Sequence, residues 1–136
     1  MIEMELSKII IDEKRQEQVI VLKEKNGSRV LPIIIGILEA TSIKMKLGGV
    51  VPPRPLTHDL FKDVIDNLGA KLEKVVVDKI EDATFFAKII MTINGQTKEI
   101  DARPSDSIAL AVRTKSPIFV EEEVLKKSEP LIPPQS

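Results

Sequence analysis

The chain has 136 residues, of which 43% are hydrophobic and 30% are charged, and its net charge is −1. This length suits one domain with its own core, and the composition is that of a globular protein. The absence of cysteine excludes disulfides, thiolate chemistry and cysteine-ligated zinc. No apolar run reaches about 18 residues, so no membrane span is predicted.

The charge balance and the aromatic content limit the ways in which nucleic acid is bound. A net charge of −1 does not attract nucleic acid nonspecifically, and four phenylalanines without Tyr or Trp do not make a base-stacking platform. Any action on nucleic acid is therefore expected to be local and catalytic. The lack of cysteine and of a secretory leader predicts a cytoplasmic protein, and the Ile/Lys/Glu-rich composition indicates a thermophile.

The first third of the chain predicts strands followed by a helix. A strand is expected over 2–11, then a solvated connection over 12–18 and a hairpin over 19–35 with a tight turn at Asn26-Gly27. Pro32 lacks a backbone donor, so its strand is predicted to lie at an edge or to be bulged. A helix over 36–49 ends at the Gly48-Gly49 pair.

The loop "PPRPLTHDL" carries three prolines and the chain's only histidine immediately before a predicted helix over 57–69. Thr57 is expected to cap this helix, and Asp59 lies in the first turn, where negative charge is favoured. The apolar residues of the helix fall on one stripe, which leaves His58 at its border. The stripe comprises Leu60, Phe61, Val64, Ile65 and Leu68.

The second half repeats the pattern of strands followed by a helix. Strands are predicted over 71–80 and 83–93, and an Asn94-Gly95 hairpin leads into a strand over 96–102. A helix over 104–114 follows with Ser105 as its cap, then a short strand over 117–120 and a helix over 121–128. We expect one domain over 1–127 and a frayed tail over 128–136.

These elements predict an α+β fold with a mixed, largely antiparallel sheet, hairpins and three to four helices. Two stretches resemble each other, "KNGSRVLPIIIGILEATSI" and "INGQTKEIDARPSDSIAL", which suggests an internal duplication, with coincidence as the alternative. Helices 36–49 and 104–114 are apolar around most of their circumference. Burial in a homo-oligomer, a dimer in the first instance, is therefore expected.

Few catalytic devices are compatible with the sequence. It contains no phosphate-binding glycine loop, and one histidine excludes two-histidine zinc sites. A Ser-His-Asp triad requires His58 with Ser105 or Ser107, and neither serine lies in the usual strand-to-helix motif. The groups that remain are carboxylates, whose oxygens suit Mg²⁺ or Mn²⁺, and arginines, which can hold the phosphate of a phosphodiester while a metal assists its cleavage. Taken singly, each also has a structural explanation as a helix-terminal acid, a cap or an ion-pair partner: Glu39, Asp59, Asp101, Asp106, Arg54 and Arg103.

Taken together, three stretches resemble the bifunctional nuclease family. They are "LPIIIGILEATSI", "PPRPLTHDLFKDVIDNLGA" and "DARPSDSIALAVRTKSPIFVEEEVL", and the resemblance extends over roughly residues 5 to 126. Ser107 stands where alanine is more usual in the family. The resemblance implies hydrolysis of both RNA and DNA. The family motif falls on Glu39, on Arg54, Pro55, Leu56, Thr57, His58 and Asp59, and on Asp101, Ala102, Arg103, Pro104, Ser105 and Asp106.

This resemblance implies a small phosphodiesterase with little sequence preference. In that hypothesis Glu39, Asp59 and Asp106 hold a divalent cation or position water, and His58 serves as acid or base. A phosphate would be bound by Arg54, Arg103, Thr57 and Ser105, with prolines fixing the loop and helix N-termini offering N–H groups. The alternative is a non-catalytic oligomeric binding or regulatory module, in which the same residues brace loops or an interface.

Overall fold

The computed structural model describes residues 1–12, 14 and 16–128. This part of the chain contains seven strands and four helices, with strands and helices following one another in groups. Their bounds are β1 (Ile2–Asp12), β2 (Glu17–Glu24), β3 (Val30–Ile35), α1 (Ile37–Leu47), α2 (Thr57–Asn67), β4 (Lys71–Glu81), β5 (Thr84–Ile93), β6 (Gln96–Ala102), α3 (Pro104–Thr114), β7 (Ile118–Val120) and α4 (Glu122–Ser128).

The strands form one mixed sheet in the order β3-β2-β1-β7-β4-β5-β6. β7 joins two antiparallel meanders, since it pairs antiparallel with β1 and parallel with β4. Each meander is followed by a helix, β1–β2–β3 by α1 and β4–β5–β6 by α3. The predicted α+β fold is confirmed, and each half begins with three strands followed by a helix, as the resemblance between the two sequence stretches suggested.

The two Asn-Gly pairs differ in their backbone. Asn94 and Gly95 have φ of 51° and 76° between β5 and β6, so the predicted tight turn is confirmed there. The tight turn at Asn26-Gly27 was wrong, because five residues connect β2 to β3 and neither residue of the pair has positive φ. The longer loop lets Arg29 donate from its two Nη atoms to Glu122 of α4, at 2.7 and 2.9 Å. Pro32 lies in an edge strand, as predicted.

α3 occupies the centre of the helical layer. Eight of its eleven residues are buried, because the helix packs on β4 and β5 while α1 and α2 pack against it. The fully buried side chains of α3 and of the elements around it are mainly aliphatic, including Leu110, Ile43 and Val75. A nearly all-apolar helix is thus explained within one subunit.

α1 and α2 turn apolar side chains outward. α1 buries Ser42, while Leu38 is 80% exposed, so the side of the helix that carries Glu39 and Ser42 faces the interior. α2 buries only Ile65. The other members of its predicted stripe are 44% to 66% exposed: Leu60, Phe61, Val64 and Leu68. Of the stripe that the sequence indicated, only Ile65 therefore lies in the core.

The caps and the C-terminal segment also differ in detail from expectation. Thr57 and Ser105 are inside their helices, and the N-cap residues are Leu56 and Arg103. Pro104 fills the first position of α3, where a missing N–H costs nothing, and this places the cap one residue before the proline. Ser128 ends α4 and is buried. The rest of the predicted tail, 129–136, lies outside the described residues. Among the described helices, none has the length and apolarity that a membrane span requires.

Candidate active site around His58

Three acidic side chains occupy equivalent positions at the starts of three helices. Glu39, Asp59 and Asp106 are each the third residue after the N-cap, in α1, α2 and α3 respectively. A negative charge in the first turn is favoured by the helix dipole, which accounts for an acid at each position. What distinguishes the three carboxylates is the partner that each one binds.

His58 connects all three helices through its imidazole ring. Its Nδ1 lies 2.7 Å from Ser42 Oγ on α1, and its Nε2 lies 2.9 Å from Asp106 Oδ1 on α3. An ionised carboxylate only accepts hydrogen bonds, so Nε2 carries the proton and donates to Asp106. In the neutral ring Nδ1 is then an acceptor, and the Ser42 hydroxyl donates to it. This network fixes the tautomer of His58.

Arg103 closes the arrangement on its solvent side. Its Nη2 lies 2.7 Å from Glu39 Oε1, and both Nη2 and Nε lie 2.9 Å from Asp106 Oδ2. These bonds raise the pKa of Arg103, chiefly through Asp106. We call the five residues Glu39, Ser42, His58, Arg103 and Asp106 the His58 cluster.

Exposure increases stepwise along the hydrogen-bonded chain. Ser42 is buried, the side chains of His58 and Asp106 are 13% and 34% exposed, and that of Arg103 is 66% exposed. A substrate arriving from solvent therefore meets Arg103 and Asp106 before His58. Ser42 is too deep to act as a nucleophile, although it completes a Ser-His-Asp sequence of hydrogen bonds.

Asp59 belongs to a different ion pair. Its Oδ1 accepts from Arg113 Nε at 2.8 Å, and its Oδ2 accepts from the backbone N–H of Leu56 at 3.0 Å. The hydrogen bond from Arg113 is the main cause that lowers the pKa of Asp59 below its ordinary value of about 3.8. The Arg113 side chain is only 3% exposed, and its Nη atoms donate to the carbonyls of Ala109 and Ser42. The pair ties α2 to α3 and α1.

The structure thus brings together some of the predicted site residues and not others. Glu39, His58, Arg103 and Asp106 form one cluster, although they come from distant parts of the chain. Asp59 faces Arg113 instead. The remaining three make no side-chain hydrogen bond with other described residues: Arg54 and Thr57, which are exposed, and Ser105, which is 6% exposed.

The carboxylates do not form a metal-ligand set in this arrangement. Both oxygens of Asp106 accept from cationic or imidazole N–H groups, and Glu39 Oε1 is held by Arg103. Within residues 1–12, 14 and 16–128, no group of three or more His, Asp or Glu side chains is placed to hold a metal ion. The use of Mg²⁺ or Mn²⁺ stays a prediction.

Two residues of the site were not recognised from the sequence. Neither Ser42 nor Arg113 is among the candidate residues that the sequence indicated. A signal for Arg113 was present, because a charged residue within a nearly all-apolar helix needs a buried partner. No sequence signal identified which acid that partner is.

The chain is similar to known proteins and to one protein family over most of its length. Residues 20–132 match the family described as the bifunctional nuclease domain. An uncharacterized protein of Mycobacterium tuberculosis is 44% identical over 128 residues, which span 94% of this chain and 76% of that protein. Bifunctional nuclease 2 of Oryza sativa is 32% identical over 81% of this chain, and bifunctional nuclease 1 of Arabidopsis thaliana is 33% identical over 74%.

The fold and the site define a one-sheet α+β domain with an acid–base cluster at the starts of three helices. The chain belongs to the bifunctional nuclease domain family. The matched segments make up only 35% and 32% of the rice and Arabidopsis nucleases.

Proposed function

We propose that this protein is a small phosphodiesterase that hydrolyses RNA and DNA in the cytoplasm, and that the His58 cluster is its active site. The observation that carries the proposal is the hydrogen-bonded chain from buried Ser42 through His58 to partly exposed Asp106, capped by exposed Arg103. Membership of a family named for nuclease activity supports the same reaction class.

The proposed reaction begins when a phosphate binds Arg103. A phosphodiester offers this guanidinium a second anionic partner, and the arginine then loosens its bonds to Glu39 and Asp106 Oδ2. The freed Oδ2 accepts a proton from a water molecule as its oxygen attacks phosphorus. The bond from phosphorus to the leaving oxygen breaks, and that oxygen takes a proton from solvent. Glu39 helps to position the water.

His58 and Ser42 support this base. The Nε2–H of His58 donates to Asp106 Oδ1, so the other carboxylate oxygen faces the water and receives its proton. Because a hydroxyl both donates and accepts, Ser42 bonds Nδ1 in either protonation state of the ring. Ser42 is therefore a positioning residue, whereas Asp106 and Arg103 contact the substrate.

The substrate range follows from the groups that make contact. Attack by water does not need a 2′-hydroxyl, so the same step cleaves RNA and DNA. Phosphate contacts from Arg103 and Arg54 carry no sequence information. Arg54 is exposed and forms no ion pair with another described residue, so its charge is available to a second phosphate. The prolines beside it reduce the ordering cost of that contact.

The test is a hydrolysis assay on uniformly labelled RNA and single-stranded DNA with purified protein and four variants. Asp106→Asn and His58→Ala are expected to lower kcat by about 10²–10⁴-fold, the usual contribution of acid–base groups. Ser42→Ala is expected to lower kcat by about 10-fold with little change in KM, because it disturbs only the orientation of His58. Asp66→Asn is the matched control, since Asp66 is an exposed α2 carboxylate paired with Lys62.

Two outcomes reject the proposal. One is activity that survives both Asp106→Asn and His58→Ala, which indicates a contaminant. The other is a homogeneous wild-type protein with no activity on either nucleic acid, with and without added Mg²⁺ or Mn²⁺.

A non-catalytic binding or regulatory module is the second candidate. One observation favours it: the ionised groups of the His58 cluster already satisfy one another, as in a structural joint between helices. In that case the wild-type protein has no nuclease activity, and Asp106→Asn lowers its stability. The first candidate instead predicts an active wild type, and Asp106→Asn removes activity at a concentration of denaturant where the variant is still folded.

A further inference from the structure

The His58 cluster holds more negative than positive charge. Arg103 contributes one positive charge, whereas Glu39 and Asp106 contribute one negative charge each, and the neutral imidazole of His58 contributes none. Asp106 has to be ionised to act as the base of the proposed reaction. Glu39 only helps to position the water, and a neutral amide would also accept a hydrogen bond for that purpose. The charge of Glu39 therefore needs a separate explanation.

The Glu39 carboxylate is held in place on both of its oxygens. Its Oε1 lies 2.7 Å from Arg103 Nη2, and the side chain is only 13% exposed. Its Oε2 lies over Gly36, the N-cap residue of α1, where an added Cβ atom would be 2.9 Å away from it. Gly36 has φ of −75°, which every residue can adopt, so the backbone does not require glycine there. The missing side chain instead makes room for the carboxylate.

We propose that Glu39 selects the class of phosphate ester that the site accepts, admitting phosphodiesters and rejecting phosphomonoesters. The inference rests on the proposed function, because it requires a phosphate to bind Arg103. A phosphodiester carries one negative charge, whereas a phosphomonoester carries about 1.5 to 2 at neutral pH. The additional charge is attracted by one guanidinium but repelled by two carboxylates. Because Glu39 and Asp106 are partly buried, salt screens this repulsion less than it would at the surface.

The same selection assists turnover. Hydrolysis of an internal phosphodiester turns a monoanion into a terminal phosphomonoester, and the added negative charge favours release of this product from the cluster. Free mononucleotides and the terminal phosphates of a nucleic acid are poor ligands for the same reason. The substrate is therefore the internal phosphodiester bond, and the products of hydrolysis inhibit the protein only weakly.

The test uses two thymidine nucleotides that differ by one methyl group. Thymidine 5′-phosphate is a phosphomonoester and its methyl ester is a phosphodiester, so at about pH 8 they carry about two and one negative charges. Binding to the wild type, Glu39→Gln and Glu123→Gln is measured by nuclear magnetic resonance titration, with the amide signals of residues 103–106 locating the ligand. Glu123→Gln is the matched control, since Glu123 is 71% exposed in α4 and paired with Lys127. Circular dichroism establishes that each variant is folded.

The wild type is expected to bind the methyl ester more tightly than the phosphomonoester. Electrostatic energy is proportional to the charge of the ligand, so loss of the Glu39 charge favours the dianion twice as much, on a logarithmic scale, as the monoanion. Glu39→Gln is therefore expected to lower the Kd of the methyl ester about 3-fold and that of the phosphomonoester about 10-fold, as for partly exposed charge pairs. Glu123→Gln is expected to leave both Kd values unchanged.

Two results overturn the inference and leave the nuclease assignment intact. One is a wild type that binds the phosphomonoester as tightly as the methyl ester, which is decided without any variant. The other is an equal change of both Kd values in Glu39→Gln. A wild type that binds neither nucleotide at residues 103–106 also overturns the inference, and it counts against the proposed function only if RNA and DNA are not hydrolysed either.

Discussion

Removal of the Asp59 carboxylate is expected to destabilise the protein by about 3 kcal/mol. Breaking a buried ion pair by deleting one partner costs about 3–5 kcal/mol, because it leaves a desolvated charge. Arg113 would keep its bonds to the carbonyls of Ala109 and Ser42, and the 28% exposure of Asp59 lets water reach the vacated position. Both effects favour the lower end of the range, which corresponds to a fall of Tm on the order of 10 °C.

The measurement is guanidinium denaturation at pH 7 followed by circular dichroism. Asp59→Ala is compared with Asp63→Ala, which removes an exposed acid of the same helix and is expected to change stability by less than about 0.5 kcal/mol. Arg113→Met and the double variant complete a cycle. The double variant is expected to be more stable than the sum of the single changes predicts, because it leaves no buried charge unpaired.

The contribution of Asp59 to the stability of the protein depends on pH, and the sign of this dependence follows from its lowered pKa. Because folding lowers the pKa of Asp59, its contribution is present above about pH 3.8 and is lost as the pH falls through the lowered value. The difference between wild type and Asp59→Ala should therefore shrink below pH 4. A variant that loses less than about 1 kcal/mol of stability but all nuclease activity would refute this reasoning and return Asp59 to the catalytic residues.

Three further predictions concern other parts of the molecule. Gly95→Ala should cost about 1–2 kcal/mol in thermal unfolding, because Gly95 has φ of 76° in the β5–β6 turn; an unchanged Tm would contradict the turn geometry. Arg29→Lys should increase hydrogen exchange in α4, because lysine cannot form the two hydrogen bonds that Arg29 donates to Glu122. These bonds also lower the pKa of Glu122. Unchanged hydrogen exchange would refute this prediction. EDTA should reduce nuclease activity less than about 2-fold if Asp106 and His58 act as proposed, whereas a loss restored by Mg²⁺ would show that the carboxylates rearrange around a metal.

Much of the fold follows from local patterns in the sequence. Each predicted helix and strand is present, because apolar periodicity and the Gly and Pro signals act over a few residues. The errors occur where a distant contact overrides a local preference. Asn26-Gly27 was predicted as a tight turn, but Arg29 reaches Glu122, 93 residues away, through a longer loop.

The sequence predicted part of the membership of the His58 cluster but not the pairing of its side chains. The carboxylates and arginines of the family motifs identified Glu39, His58, Arg103 and Asp106. They also placed Asp59 with them, because a first-turn acid next to the histidine looks equivalent to Asp106. Only the packing of α3 against α2 shows that Arg113 takes the Asp59 carboxylate.

The amino-acid sequence was enough to establish the helices and strands, the family, and the charged residues at the starts of three helices. These properties depend on local chain preferences and on residue identity. The packing of the helices and the sheet was needed to show which carboxylate faces His58, which one faces a buried arginine, and which side of α2 points outward. A helix presents several faces at once, and the choice among them depends on what the other helices and the sheet leave uncovered.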